Sequence, residues 1–142
     1  MFKVIVLALD GSEAAKRAIP IAVELAKAAK SKVVIAHVEE RMATKGRAPV
    51  DADEDEVQAD LRALVKDLAA EGIDAGIEMG DVMAGGAGTA HAIADIAERS
   101  NADLIVAGTR GHNPLAGLLV GSVTQRLLHI AKEPVLVVPA PD

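Results

Sequence analysis

One segment near the C-terminal end combines residue types that can hold an anion through the protein backbone. Leu104-Ile-Val-Ala-Gly108 is predicted to be a buried parallel strand that ends at a glycine. Gly111 and Gly121 follow, and Ser122 stands at the predicted N-cap of a helix over Val123–Lys132. Glycines allow the backbone to approach a ligand closely, and the first N–H groups of a helix have no partner within it. The pattern therefore predicts an anion site.

The length of this strand-to-helix connection bears on whether it is a binding loop. The alternative is that Gly108, Gly111, Gly121 and Ser122 serve only as turn and cap residues. Connections of this kind usually have about two to six residues, whereas this one has about a dozen. Long loops in compact domains are often functional, which favours the binding interpretation.

Known motifs of phosphate-binding P-loop enzymes and of serine hydrolases are missing from the sequence. It has no G-x-x-x-x-G-K-[ST] lysine, no G-x-S-x-G elbow and no evident base beside the glycine loop. Phosphoryl transfer depends on cation clamps and a positioned nucleophile. No catalytic residue is predicted, and the site is expected to hold its ligand, with slow hydrolysis left open.

The elements that must position this loop alternate between strand and helix. Apolar and β-branched runs predict five strands, at Phe2–Leu9, Lys32–Val38, Ile73–Met79, Asp103–Ala107 and Val135–Val138. Helical spacing predicts four helices, at about Glu13–Ala29, Glu54–Glu71, Thr89–Ser100 and Val123–Lys132. This alternation predicts an α/β fold, a doubly wound parallel sheet with helices on both faces.

Several single residues refine these elements. Pro20 predicts a kink or a distorted first turn in the first helix, and Gly72 predicts the end of the second. Thr89 is a candidate N-cap for the third helix. Gly85-Gly-Ala-Gly88 follows no good strand and lacks G-x-G-x-x-G spacing, so flexible linkage is favoured over a second phosphate loop.

The spacing Gly108-x-x-Gly111, nine residues, then Gly121-Ser122 resembles the nucleotide-binding signature of the ATP-binding branch of the universal stress protein family. The likeness extends to Val4-Ile-Val-Leu-Ala-Leu-Asp10-Gly-Ser12 and to Ala36-His-Val38. It covers nearly the whole chain, apart from a loop at about Glu39–Asp53.

The resemblance implies a strand order of 3-2-1-4-5 and ATP as ligand, together with Mg²⁺. It also implies that the backbone around Gly108 and Gly111 meets ribose and α-phosphate, while Gly121, Ser122 and Val123 bind the outer phosphates. A homodimer, formed by antiparallel pairing of the edge strand Val135–Val138, follows from the same likeness and from the exposed edge.

Three further candidates keep two interpretations each. In this strand order the winding reverses between strands one and four, where such sheets bind ligands. Asp10 lies there, either as a helix cap or as a contact to ribose or, through water, Mg²⁺. Val38 is either core or, by resemblance, an adenine contact through its backbone. Arg110 either reaches a phosphate or is simply solvated.

Composition bounds the class of protein. A chain of 142 residues is expected to form one domain, residues 1–142. It lacks cysteine, and its four histidines show no ligand spacing, so no metal site is predicted in the protein itself. The net charge of −6 argues against nucleic-acid or anionic-membrane binding. With no leader and no spanning run, a cytoplasmic location is expected.

These observations lead to a main functional hypothesis and two rivals. The main hypothesis is a cytoplasmic ATP-binding protein that acts as a nucleotide-dependent stress sensor or adaptor. One rival is an enzyme on the same scaffold, a slow Mg²⁺-dependent ATPase or a nucleotidyl-transfer enzyme. The other is a member without nucleotide that acts only through protein contacts, against which the intact glycine pattern weighs.

Overall fold

Five strands build the central sheet in a computed structural model that describes residues 1–9, 13–41, 52–83, 88–109 and 121–139. The strands are β1 (Val4–Ala8), β2 (Lys32–Arg41), β3 (Ala75–Met83), β4 (Leu104–Gly108) and β5 (Val135–Val138). The helices are α1 (Glu13–Lys16), α2 (Ala18–Ala29), α3 (Ala52–Ala70), α4 (Gly88–Arg99) and α5 (Ser122–Ile130).

All neighbouring strands are parallel, and their order is β3-β2-β1-β4-β5. The predicted fold class and strand order are therefore confirmed. β1 pairs with β2 on one side and with β4 on the other, so that Ala8 lies opposite both Ala36 and Ala107. β3 and β5 lie at the two edges of the sheet, and each pairs with one strand among the described residues.

Side chains of the central strands alternate between two apolar layers, as a strand period of two requires. Ile5 and Leu7 belong to one core, shared with α2 and α3. Val6 and Ala8 belong to the other, shared with α4 and α5. Helices thus cover both faces of the sheet. None of the described helices has the length and apolar character needed to span a bilayer.

The first predicted helix is divided in two. α1 ends at Lys16 and α2 begins at Ala18, although Arg17 between them keeps helical dihedral angles of φ −66° and ψ −23°. Pro20 lies in the first turn of α2, where its missing N–H and its ring interrupt the hydrogen-bond ladder behind it. The expected distortion therefore falls ahead of the proline, at the break between α1 and α2.

Two strands are longer than the apolar pattern predicts. β2 and β3 stay paired as far as Arg41 and Met83, beyond the predicted ends at Val38 and Met79. Backbone hydrogen bonds need no apolar side chains, so a ladder can continue past the hydrophobic run. β4 begins one residue later than predicted, and Asp103 just before it is bonded to the start of β1: its carboxylate accepts from the N–H groups of Lys3 and Val4 at 2.8 and 3.0 Å.

The end of α3 has the geometry that its sequence predicts. Gly72 has φ +82°, its N–H donates to the Ala69 carbonyl, and the Ile73 N–H donates to the Leu68 carbonyl. This is the Schellman arrangement, with buried Ile73 beside buried Leu68.

Replacing Gly72 with Ala should therefore destabilise the fold, because a Cβ makes the left-handed conformation unfavourable by about 1–2 kcal/mol. Gly76→Ala, in β3, is the matched control: its backbone is not left-handed, and an added Cβ meets nothing within 4 Å. Urea unfolding of both variants measures the difference. Equal free energies of unfolding for the two variants would contradict this prediction.

Candidate functional site

A cleft opens where the winding direction of the sheet reverses. β1 leads to α1 and α2 on one face, whereas β4 is followed along the chain by α5 on the other face. The ends of the two strands therefore lie between helices on opposite faces, which is where doubly wound sheets bind ligands. The cavity there has a volume of about 50 Å³ among the described residues. It is lined by Ala8, Leu9, Ala15, Ala36, Val38, Thr89, Ile93, Ala107, Gly108, Val123, Thr124 and Leu127.

The structure brings three of the predicted site residues to this cleft. Val38 comes from β2, Gly108 from the end of β4 and Val123 from the first turn of α5, and all three line the cavity. Their sequence positions are far apart, so the sheet order is what brings them together.

The other predicted site residues fall into two groups. Gly121 and Ser122 stand at the start of α5, next to Val123. Asp10, Arg110 and Gly111 lie outside the described residues.

The cap of α5 differs from the prediction. Gly121 is the N-cap, with φ −57° and ψ 156°, and Ser122 is the first helical residue. The ladder begins with the Gln125 N–H donating to the Gly121 carbonyl at 2.9 Å. The N–H groups of Ser122, Val123 and Thr124 therefore precede the ladder, at the positive end of the helix dipole. The predicted cap at Ser122 was wrong because the helix extends one residue further towards the N-terminus.

The packed face of α5 also differs from the apolar pattern. Leu127 is buried, but Leu128 is 48% exposed, although both belong to the apolar spacing of this helix in the sequence. Adjacent helical residues are about 100° apart, so α5 buries one of them and leaves the other in solvent.

Thr124 is a site residue that the sequence analysis missed. Its Oγ1 donates a 3.0 Å hydrogen bond to the Gly108 carbonyl, which lies past the last β1–β4 pair, Ala8 with Ala107. Gly108 is partly buried, so its strand-end carbonyl has limited access to water, and the threonine supplies a donor. The bond joins β4 to α5 at the mouth of the cleft. In the sequence, the only indication of this contact is a threonine two positions after Ser122.

Thr89 is the other polar side chain of the lining. It is buried in the second position of α4, since that helix begins at Gly88, so it is not the N-cap that its sequence context suggested. The described lining carries no ionisable side chain. Apolar walls with two hydroxyls suit an uncharged ring system, and the N–H groups at the start of α5 suit an anion.

Comparison with known proteins assigns the chain to a family. The model of the universal stress protein family matches residues 1–139. This chain belongs to the universal stress protein family. A universal stress protein of Thermus aquaticus, from the 3′ region of the QAH/OAS sulfhydrylase, is 34% identical over 138 residues, which are 97% of this chain and 99% of the relative.

Solved structures of the family agree with the fold. A universal stress protein family member from Burkholderia pseudomallei has a TM-score of 0.75 at 31% identity, covering 98% of this chain and 97% of its own. A universal stress protein solved in complex with cAMP has a TM-score of 0.61 at 30% identity, covering 97% of both chains.

The hydrogen bond from Thr124 to the Gly108 carbonyl should contribute to the free energy of unfolding. Thr124→Val keeps the side-chain shape but leaves the Gly108 carbonyl without that donor, which should lower the free energy of unfolding by about 1–3 kcal/mol. Thr124→Ser retains the hydroxyl and loses only a methyl group, so it should lose less. Chemical denaturation of both variants tests the order, and a valine variant at least as stable as the serine variant would contradict it.

Proposed function

We propose that this universal stress protein binds ATP with Mg²⁺ in the cleft and acts in the cytoplasm as a nucleotide-dependent stress sensor or adaptor, with residues 1–142 as one nucleotide-binding domain. The observation that carries the proposal is the position of the cleft. It lies at the reversal of the sheet, with an apolar lining on one side and the N-terminus of α5 on the other.

The lining supports separate positions for the adenine base and for the ribose and phosphates. Adenine is a flat, uncharged ring with apolar faces, and it would enter between Val38 and the α4 side of the cleft. The cavity is smaller than a nucleoside, so the ribose and phosphates would lie over its mouth. There the backbone of Gly108 meets ribose and α-phosphate, and Gly121, Ser122 and Val123 offer N–H groups to the outer phosphates.

Three predicted contacts complete the proposed site. We assign Gly111 to the ribose and α-phosphate region and Arg110 to a phosphate. Asp10 follows Leu9, which lines the cavity, and is assigned to a ribose hydroxyl or, through water, to Mg²⁺. The family relative solved with cAMP supports an adenine nucleotide as the class of ligand.

ATP with Mg²⁺ should stabilise the folded protein, because a folded cleft binds ligand and the unfolded chain does not. At a free ligand concentration of about 100 times Kd, the gain is about 2.7 kcal/mol. For a chain of this size the melting temperature should rise by roughly 5–10 °C. Differential scanning fluorimetry on protein stripped of bound nucleotide measures the shift, and an unchanged melting temperature would contradict nucleotide binding.

Gly121→Val tests where the phosphates lie. The backbone angles of Gly121 are open to any residue, so the variant should fold. Its branched side chain would occupy the space over the α5 N–H groups and should abolish the ATP shift. Gly76→Val, in the edge strand β3, is the control and should keep it, since an added Cβ there meets no atom within 4 Å. A folded Gly121→Val with the full shift would place the phosphates elsewhere.

We further propose a homodimer formed by antiparallel pairing of β5 with its copy. β5 pairs with β4 along one side only among the described strands, and Leu136 is 37% exposed.

The register between β4 and β5 decides which backbone amides of β5 face away from the sheet. Ile105 N–H donates to the Pro134 carbonyl and Thr109 N–H to the Val138 carbonyl. In a parallel ladder the N–H and C=O groups of one residue point to the same side, and those of the next residue point to the other side. Pro134 and Val138 face β4, so the amides of Val135 and Val137 face outward.

Val137→Pro should therefore dissociate the dimer without breaking the β4–β5 ladder. Proline is tolerated on an edge strand when the lost N–H faces away from the sheet. Leu136→Pro is the contrasting variant, because it removes an amide that points towards β4 and should destabilise the fold itself. Light scattering at tens of micromolar gives the mass. A monomeric wild-type protein, or a Val137→Pro dimer, would contradict this interface.

A further inference from the structure

A buried histidine connects two strand ends at the cleft to the first turn of α3. His37 lies in β2 and is 2% exposed. Its Nδ1 is 2.8 Å from the carbonyl oxygen of Leu9, directly after β1. Its Nε2 is 2.8 Å from Oε1 of Glu54, in the first turn of α3. This set of contacts, from Leu9 through His37 to Glu54, is called the histidine clasp below.

The partners decide which atoms donate. The Leu9 carbonyl only accepts, so Nδ1 of His37 carries a hydrogen. Nε2 of His37 and Oε1 of Glu54 share one further hydrogen, and their 2.8 Å contact is a hydrogen bond between β2 and α3 whichever of the two atoms carries it. Oε1 of Glu54 also accepts a 3.3 Å bond from the Gln58 amide one turn later. Because His37 is buried, this bond depends closely on geometry.

The clasp shares its strand ends with the cleft. Leu9 and Val38 both line the cavity, and successive strand side chains point to opposite faces, so Val38 faces the cleft while His37 faces α3. Leu9 is held to β2 twice, by its own N–H donating to the Ala36 carbonyl at 3.0 Å and by its carbonyl accepting from His37. A ligand that fixes Leu9 and Val38 therefore also fixes the imidazole between them.

The start of α3 is a segment on which such a bond can act. The deeply buried residues of the helix are Leu61 and Leu68, and none of the residues from 54 to 60 is buried. Few buried apolar side chains hold this end to the sheet, and segments of that kind open locally at low cost in free energy. The Glu54 carboxylate supplies a polar attachment there.

We propose that the histidine clasp couples occupancy of the cleft to the docking of the first two turns of α3, so that this end of the helix reports whether nucleotide is bound. The proposal rests on the proposed function, since it takes an adenine nucleotide as the occupant. His37 and Glu54 are positioning residues, and they act through Leu9 and the end of β2. An adaptor needs a surface that changes with its ligand, and the start of α3 would be that surface.

Hydrogen exchange of the backbone amides from Val57 to Leu61, with and without ATP and Mg²⁺, tests the coupling. In the wild-type protein we expect ATP to slow this exchange at least about fivefold. Glu54→Ala should abolish the slowing. Because coupling between two sites is reciprocal, the same variant should bind ATP more weakly by a similar factor.

Two further variants separate the clasp from general effects on the helix. Glu54→Gln keeps a side chain of the same size whose amide can hydrogen-bond to Nε2 of His37 through either its oxygen or its N–H, so it should retain most of the slowing and of the affinity. Glu56→Ala removes the same side chain with the same change in charge from an exposed position two residues later, and it should behave as wild type. If Glu56→Ala lost the response as Glu54→Ala does, helix charge would be the cause and the clasp would be rejected.

The outcomes distinguish this proposal from the function on which it rests. Wild-type protein that binds ATP with no change in α3 exchange would overturn the coupling and leave nucleotide binding intact. So would a Glu54→Ala variant with wild-type affinity and wild-type slowing. Wild-type protein that binds no ATP by calorimetry would overturn the proposed function and the coupling together.

Discussion

The structure depends on one strand, β1, which is paired along both edges and covered on both faces. Ile5, Val6 and Leu7 have no exposed surface, and β2 and β4 occupy the two sides of the strand. A central parallel strand cannot turn back into its own sheet, so the chain must leave it through a helix on one face. The helix pair that follows β1, α1 and α2, lies on one face, and α5, which follows β4, lies on the other. The cleft is the gap that these opposite exits leave.

The composition of the core suits this arrangement. Phe2 is the only aromatic residue of the chain, and the deepest positions of α2 are Ala18, Ala22 and Ala26, each at most 1% exposed. Small side chains let a helix backbone approach a sheet closely, and branched aliphatic residues fill the pleated surface beneath it. The central strands are therefore packed against α2 through small side chains on this face.

Polar contacts complete the cleft where the regular ladders stop. Each strand end leaves backbone groups that the neighbouring strand no longer satisfies, and burial makes an unpaired group costly. At the end of β4 the Gly108 carbonyl accepts from Thr124, and at the end of β1 the Leu9 carbonyl accepts from His37. These two side chains belong to α5 and β2, so the same requirement that completes the ladders also ties the surrounding elements to the rim of the site. The side chains that stabilise the strand ends therefore also shape the cleft.

Local signals determined much of this protein before any tertiary contact was considered. Alternation and β-branched runs predicted all five strands, helical spacing predicted the helices, and Gly72 predicted the end of α3, because each of these depends on residues close together in the chain. The glycine spacing and its flanking strands predicted the family and, through it, the strand order. Val38, Gly108 and Val123 line one cavity as that strand order requires.

Tertiary structure decided what depends on partners distant in sequence. Nothing local distinguishes Leu127 from Leu128, and only packing against the sheet buries the first and exposes the second. The register of β4 and β5, set by pairing, decides which amides of the edge strand face outward. His37 showed no ligand spacing, yet the fold places it between Leu9 and Glu54, residues 28 and 17 positions away. A hydrogen bond of that kind exists only after the chain has folded, because its geometry comes from three separate elements and not from the order of neighbouring residues.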